Sequence, residues 1–182
     1  MTKKEEGALH LDRVPTPIGE LLLVADARGR LRMLEFADRP QRWRPDFARR
    51  FANETMVETA NPSGLSRKLA DYFAGDVEAL DAIRTECAGT AFQRSVWTAL
   101  RRIPAGTTSS YGALARRLGK PQAMRAVGLA NGANPIAIVV PCHRVVGSDG
   151  SLTGYGGGLA RKRWLLDHEA RHARHLKKAA SK

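Results

Sequence analysis

The chain has 182 residues, 43% of them apolar, and 30 Lys and Arg against 18 Asp and Glu for a formal charge of +12. That length supports a core for one or two small domains, and the composition excludes a disordered polymer. No apolar run reaches membrane-spanning length, and Cys87 and Cys142 are the only cysteines, which excludes a transmembrane helix and a disulfide framework.

After a polar leader without a secretory pattern, residues 9–14, 21–25 and 31–36 read as strands, with Gly29 in a tight turn between the last two. They predict a small antiparallel sheet. Residues 38–61, rich in arginines around Trp43, give only a short helix. A clearer helix covers residues 66–74, with Ser66 as its cap, Leu69 and Phe73 on one face and Gly75 as its stop. Residues 76–89 read as a linker. The expected division is therefore a structural sheet-plus-helix domain over 1–85, a second domain over 86–176 and a basic disordered tail over 177–182.

The second half opens on Thr90-Ala91-Phe92-Gln93, a capping box, and continues with Phe92, Val96 and Leu100 along one helical face. A helix over residues 111–118, capped by Ser109 or Ser110 and stopped by Gly119, precedes a second helix from Pro121 to about Ala130. This pair is a helix-turn-helix signature. Its second helix carries the small residues Ala123, Ala126 and Gly128 around Arg125. Residues 136–140 form an apolar run read as a buried strand, residues 147–150 a turn, and residues 154–158 a glycine-rich loop. A last helix runs from about Leu159 past His172, with Glu169 on the side of Leu166. The predicted class is α+β: the small sheet domain plus a mostly helical second domain.

Charge placement indicates a partner. Residues 1–85 balance at 14 basic and 14 acidic side chains, whereas residues 86–182 carry 16 basic and 4 acidic. An excess confined to one half points to a polyanion, with nucleic acid first. His168, His172 and His175 read as a solvated face, Trp97 and Trp164 as core, and Arg144, Arg161 and Lys162 as phosphate contacts.

The reactive candidate is Cys142, between Pro141 and the His143-Arg144 pair. A thiolate is a nucleophile when a base or cation lies near it, and a base needs an orienter. His143 is the base, and Glu169 is the best carboxylate available in the basic half. On residue types alone three readings stay open: a cysteine hydrolase, a helix-turn-helix regulator with Cys142 in its core, and a group-transfer protein.

The segments AFQRSVW, RAVGLANGANP, PCHRV and GSDGSLTGYGGGLARKRWLLDHE occur in that order between about Thr90 and Glu169. In them the chain resembles the 6-O-alkylguanine-DNA alkyltransferases, also called methylated-DNA–protein-cysteine methyltransferases. The resemblance implies direct-reversal DNA repair by a single-turnover S-methyltransferase with no cofactor and no metal. Its substrate would be 6-O-alkylguanine, with 4-O-alkylthymine as the second substrate class to test. It implies Cys142 as alkyl acceptor, His143 as base through a water, Glu169 as the carboxylate holding it, Tyr111 as donor to the departing guanine and Asn134 as brace of the cysteine turn. Arg125 would enter the duplex while the damaged nucleotide is flipped out. Thr108, Ser110, Ala123, Ala126, Gly128 and Arg144 would contact DNA through the minor groove, and Tyr155, Gly156, Gly157 and Val145 would line the nucleotide pocket. Some relatives have serine where this chain has Gly156. A cytoplasmic monomer without a membrane or an obligate protein partner completes the expectation.

Overall fold

The structure, a computed structural model, describes residues 7–179, with side chains described through residue 173. Strands β1 (Leu9–Val14), β2 (Leu21–Asp26) and β3 (Leu31–Phe36) pair antiparallel as expected. A short β4 (Met56–Glu58) adds parallel to β1, giving the order β3-β2-β1-β4. Gly29, at φ 69°, takes the left-handed turn between β2 and β3 that disfavours a side chain.

Every residue of β2 is buried, because both faces of the sheet are covered. Leu21, Leu23 and Ala25 face the larger core, while Leu22 and Val24 face a smaller one. Helix α1 (Pro40–Phe51) closes the smaller core with Trp43, Phe47 and Phe51. Those aromatic residues are spaced by four and meet edge to face at 5.9 and 5.2 Å. Residues 38–61 thus hold a full helix and a strand.

Helix α2 (Leu65–Ala74) starts after Gly64 rather than at a Ser66 cap; the Ser66 hydroxyl donates to Asp12 instead, at 2.5 Å. Gly75, at φ 118°, ends it as expected. Residues 76–89 are more than a linker. Val77, Leu80 and Ile83 are buried, and the backbone of Arg84 and Glu86 hydrogen-bonds Leu31 on the edge of β3.

Helix α3 (Ala91–Leu100) carries the predicted capping box between Thr90 and Gln93. Helix α4 (Tyr111–Arg117), a 3-10 turn (Pro121–Ala123) and helix α5 (Met124–Gly132) form the expected helix-turn-helix. Ser110 caps α4 by accepting from the Ala113 amide at 3.1 Å. The two-residue strands β5 (Ser109–Ser110) and β6 (Val145–Val146) pair parallel. Helix α6 (Leu159–Ala179) reaches into the segment expected as a tail; residues 180–182 and the His175 side chain lie outside the described residues. Leu21, Phe36 and Tyr72 of the first half join Leu100, Leu114, Val127 and Leu165 of the second in one continuous core. Among the described residues, no helix is long and apolar enough to cross a membrane.

Candidate active site

Asn134 is the local organiser of the site. Its side-chain oxygen accepts from the Ile136 amide at 3.0 Å, and its Nδ2 donates to the carbonyls of Ile136 and Val140 at 3.2 and 2.8 Å. The same Nδ2 lies 3.2 Å from Cys142 Sγ. Between those anchors, residues 136–140 are not the expected strand. Only Ile136 pairs, across to Leu34 of β3, and the chain then turns through Ile138 at φ 68°. Left-handed backbone is costly for a β-branched residue, and the four Asn134 contacts hold the turn that needs it.

The turn delivers Cys142, His143 and Arg144 on a buried 3-10 turn. His143 Nε2 donates to Glu169 Oε1 at 2.9 Å, so Nδ1 carries the free lone pair and has no hydrogen-bond partner among the described residues. Glu169, fully buried on α6, also accepts from Nε and Nη2 along one edge of the Arg144 guanidinium at 2.9 and 2.8 Å, from the Tyr72 hydroxyl at 2.9 Å and from the Gly106 amide at 3.3 Å.

Burial pushes the Cys142 thiol up, opposed by the Asn134 amide and by the charges of Arg42 and Lys162. Burial pushes His143 down, against the attraction of Glu169. Burial would raise Glu169, but His143 and Arg144 overturn that effect and hold the carboxyl well below its usual range. The two-point grip of Arg144 supplies a counter-charge to the carboxylate that does not depend on the protonation of the imidazole. The resting site is thus a neutral thiol and a neutral base with an anion behind the base.

Cys142, only 5% exposed, sits in the wall of a cavity of about 210 Å³. Tyr155, Gly156 and Gly157 line it, as the resemblance implies, together with Tyr111, the expected donor to the guanine; Gly128, expected as a DNA contact, lines it too, and Glu35 and Arg42 line it from the sheet half. The Tyr111 hydroxyl is 3.0 Å from Thr153 Oγ1, and the buried Tyr155 hydroxyl has no partner among the described residues. A larger cleft of about 760 Å³ lies alongside, between α1 and residues 132–135. It shares Glu35, Arg42, Gly132 and Asn134 with the smaller cavity but has no cysteine in its lining, whereas Cys142 lines the smaller one. No group of three His, Cys, Asp or Glu side chains able to hold a metal exists among the described residues.

The family model described as the DNA binding domain of 6-O-methylguanine DNA methyltransferase matches residues 91–171, and that of its ribonuclease-like domain matches residues 12–87. The methylated-DNA–protein-cysteine methyltransferase of Salmonella typhimurium is 52% identical over 160 residues, covering 87% of this chain and 94% of that one. The chain belongs to the methylated-DNA–protein-cysteine methyltransferase family. The member from Mycobacterium tuberculosis is 46% identical over 169 residues, covering 91% of this chain and 94% of that one. The crystal structure of the Mycobacterium tuberculosis OGT in complex with DNA superposes with a TM-score of 0.74 at 43% identity, covering 90% of this chain and 94% of that one.

In this methyltransferase the fold brings Cys142, His143, Glu169 and Asn134 together and sets Tyr111 and Tyr155 in the cavity wall. Arg125 and Ala126 are exposed on α5, Thr108 is exposed, Ser110 serves as a helix cap, and Ala123 and Gly128 are half-buried. Two site residues are corrected. Arg144 is no DNA contact: it is buried and spent on Glu169 and the Ile103 carbonyl, because an interior carboxylate requires a counter-charge. Val145 does not line the cavity; its side chain is buried in β6 and only its carbonyl is used, by Lys162.

Other surface readings are corrected too. Lys162 is fully buried, donating to the carbonyls of Val145 and Thr153. Arg161 is half-buried, pairs with Asp38 and lies over the Phe36 ring at 4.1 Å. His168 is buried, stacked on Trp164 at 4.8 Å, and donates to the Tyr72 carbonyl. Trp97 is core as expected, with its indole N–H on the Ala130 carbonyl. Sequence reasoning missed Glu35, Arg42 and Tyr72. Tyr72 had a signal, lying three residues after Leu69 on the apolar face of α2; the Glu35–Arg42 pair had none.

Proposed function

We propose that Cys142 is the acceptor in direct-reversal repair, receiving the alkyl group of 6-O-alkylguanine in DNA, the activity of the family to which the chain belongs. The observation that carries the reading is the thiol of Cys142 in the cavity wall, with an amide donor on its sulfur and a base, an anion and a guanidinium linked behind it. His143 takes the thiol proton, directly or through a water. The sulfur then attacks the alkyl carbon, an S–C bond forms, and the C–O bond breaks with its electron pair going to guanine. Tyr111 relieves that charge by donating to the departing base. The product thioether is a poor leaving group, so each molecule reacts once.

A base inside a duplex is out of reach, so the nucleotide is flipped at a cost of a few kcal/mol. Arg125, exposed on α5, fills the vacated space, and Ala123, Ala126 and Gly128 let the helix approach the minor groove closely. Thr108 and Ser110 lie at the start of α4, where a phosphate would pass. Residues 1–85 support the site, and residues 86–176 hold the DNA and accept the alkyl group. The protein acts as a monomer in the cytoplasm, where its two free thiols stay reduced.

The test is intact mass after mixing with a duplex carrying one 6-O-methylguanine. One methylene-sized increment per molecule, mapped to Cys142, is expected. Repeated turnover on an ester would instead support a hydrolase, and an unmodified protein that binds one operator tightly would support a regulator; either result overturns the reading.

A further inference from the structure

We infer that Tyr72 is a positioning residue for alkyl transfer: its hydroxyl, reaching across from the N-terminal half, sets how strongly Glu169 holds the His143 imidazole. The inference rests on the reading of His143 as the base for Cys142.

Tyr72 is fully buried on α2, 97 residues before the carboxylate it meets. Its hydroxyl donates to Glu169 Oε1 at 2.9 Å, the same oxygen that accepts from His143 Nε2 at 2.9 Å. Arg144 Nη2 donates to that oxygen as well, at 2.8 Å, and the three donors compete for the same electron density. Nothing about packing requires an oxygen there. The Tyr72 ring is already seated edge to face on Phe73 at 5.2 Å and tilted against His168 at 5.2 Å. Its backbone carbonyl is fixed separately, accepting from His168 Nε2 at 2.8 Å. The phenol stays protonated, since burial and the adjacent carboxylate push it far above its ordinary value. Toward the Glu169 carboxylate it can therefore only donate.

The consequence has a definite sign. Donation from Tyr72 neutralises part of the Glu169 charge that would otherwise stabilise an imidazolium. Without it, the carboxylate attracts the protonated form of His143 more strongly, and the imidazole is already charged, and useless as a base, at a higher pH. The other groups around the pair are Arg144 on the same turn, Lys162 and His168 on α6, Tyr155 in the loop before α6, Cys142 itself and the Gly106 amide. All of them remain when the phenol oxygen alone is removed.

The experiment measures the single-turnover rate of transfer from a 6-O-methylguanine duplex against pH for the wild type, Tyr72→Phe and a protein with 3-fluorotyrosine in place of Tyr72. In Tyr72→Phe the acid limb moves up, so the rate falls roughly three- to tenfold near the foot of the limb and less than about twofold on the plateau. The fluorinated phenol, a stronger donor of nearly the same shape, moves the limb the other way. A purely structural role predicts a lower melting temperature or a uniform loss of rate with the limb unmoved in both proteins, and that result overturns the inference. If His143→Gln keeps the wild-type rate, the base assignment itself has failed and the inference falls with it. An unmoved limb beside an inactive His143→Gln rejects Tyr72 alone.

Discussion

Asn134→Ala is the perturbation whose cost can be worked most directly from the structure. The side chain makes three hydrogen bonds to backbone in a region that is 1% exposed, plus one contact to Cys142 Sγ. The carbonyls of Ile136 and Val140 keep other donors, the amides of Val140 and Cys142, when Asn134 is lost. The Ile136 amide keeps nothing, and an orphaned buried donor costs about 1–3 kcal/mol. With the weakened carbonyl bonds, the total is about 2–4 kcal/mol, or a melting temperature lowered by roughly 5–15 °C for a chain of this length. The Ile138 turn also loses its brace, and the sulfur loses a donor that favours its anion, so transfer should slow by about tenfold or more. Thermal unfolding and single-turnover transfer, measured on the same preparation, test both halves. A melting temperature within about 2 °C of wild type, together with an unchanged rate, would refute the assignment of Asn134 as the organiser of the turn.

Arg125→Ala should reduce transfer from a duplex by about tenfold or more while leaving transfer from the free alkylated base unchanged, because only the duplex requires an inserted side chain to offset flipping. Comparing the two substrates checks this, and an equal fall on both would show that Arg125 serves the pocket. Stability should be highest above about pH 6.5 and fall as the pH drops, since burial holds His143 and His168 below the ordinary value of 6.5 and the unfolded chain takes up those protons first. Glu169, held below its usual range, adds a loss of the same sign at lower pH. Melting temperatures from pH 7.5 down to 5 read this directly; a flat profile would mean that folding leaves the two histidines at their ordinary value, and a rise on acidification that they are charged in the fold, and either refutes the reasoning.

Local signals were legible where the partner lies within a few residues. Thr90 and Gln93 cap each other, Gly75 and Gly29 take left-handed backbone, and residues 111–132 show their helix-turn-helix from caps and breakers alone. The meeting of Cys142, His143 and Glu169 was readable through the motifs PCHRV and LLDHE, which name the residues without their geometry. What escaped depends on distant partners. Arg144, Lys162 and His168 were read as surface by residue type, yet each is drawn inside by an acceptor on another segment: a carboxylate, two carbonyls and the Tyr72 carbonyl. Residues 136–140 look like a strand because an apolar run carries no sign of a turn held by one asparagine. The aromatic stripe of α1 was masked by its arginines and by Pro45.

The sheet half, which carries no nucleophile, holds both arms of the site. On the acceptor side, Leu34 of β3 donates its amide to the Pro135 carbonyl at 3.0 Å and accepts from the Ala137 amide at 2.7 Å, so the sheet edge grips the turn before Cys142. Arg42 adds bonds to the carbonyls of Gly132 and Asn134 while pairing with buried Glu35. On the base side, Tyr72 of α2 reaches Glu169. On the proposed mechanism a thiol that burial keeps neutral reacts only when base and acceptor stay in register, and here both are held by hydrogen bonds from the same half of the chain, the sheet with its helices. Separating the halves would therefore misalign the proton path before it exposed much core, since the contacts at stake are directional hydrogen bonds that a small rotation breaks.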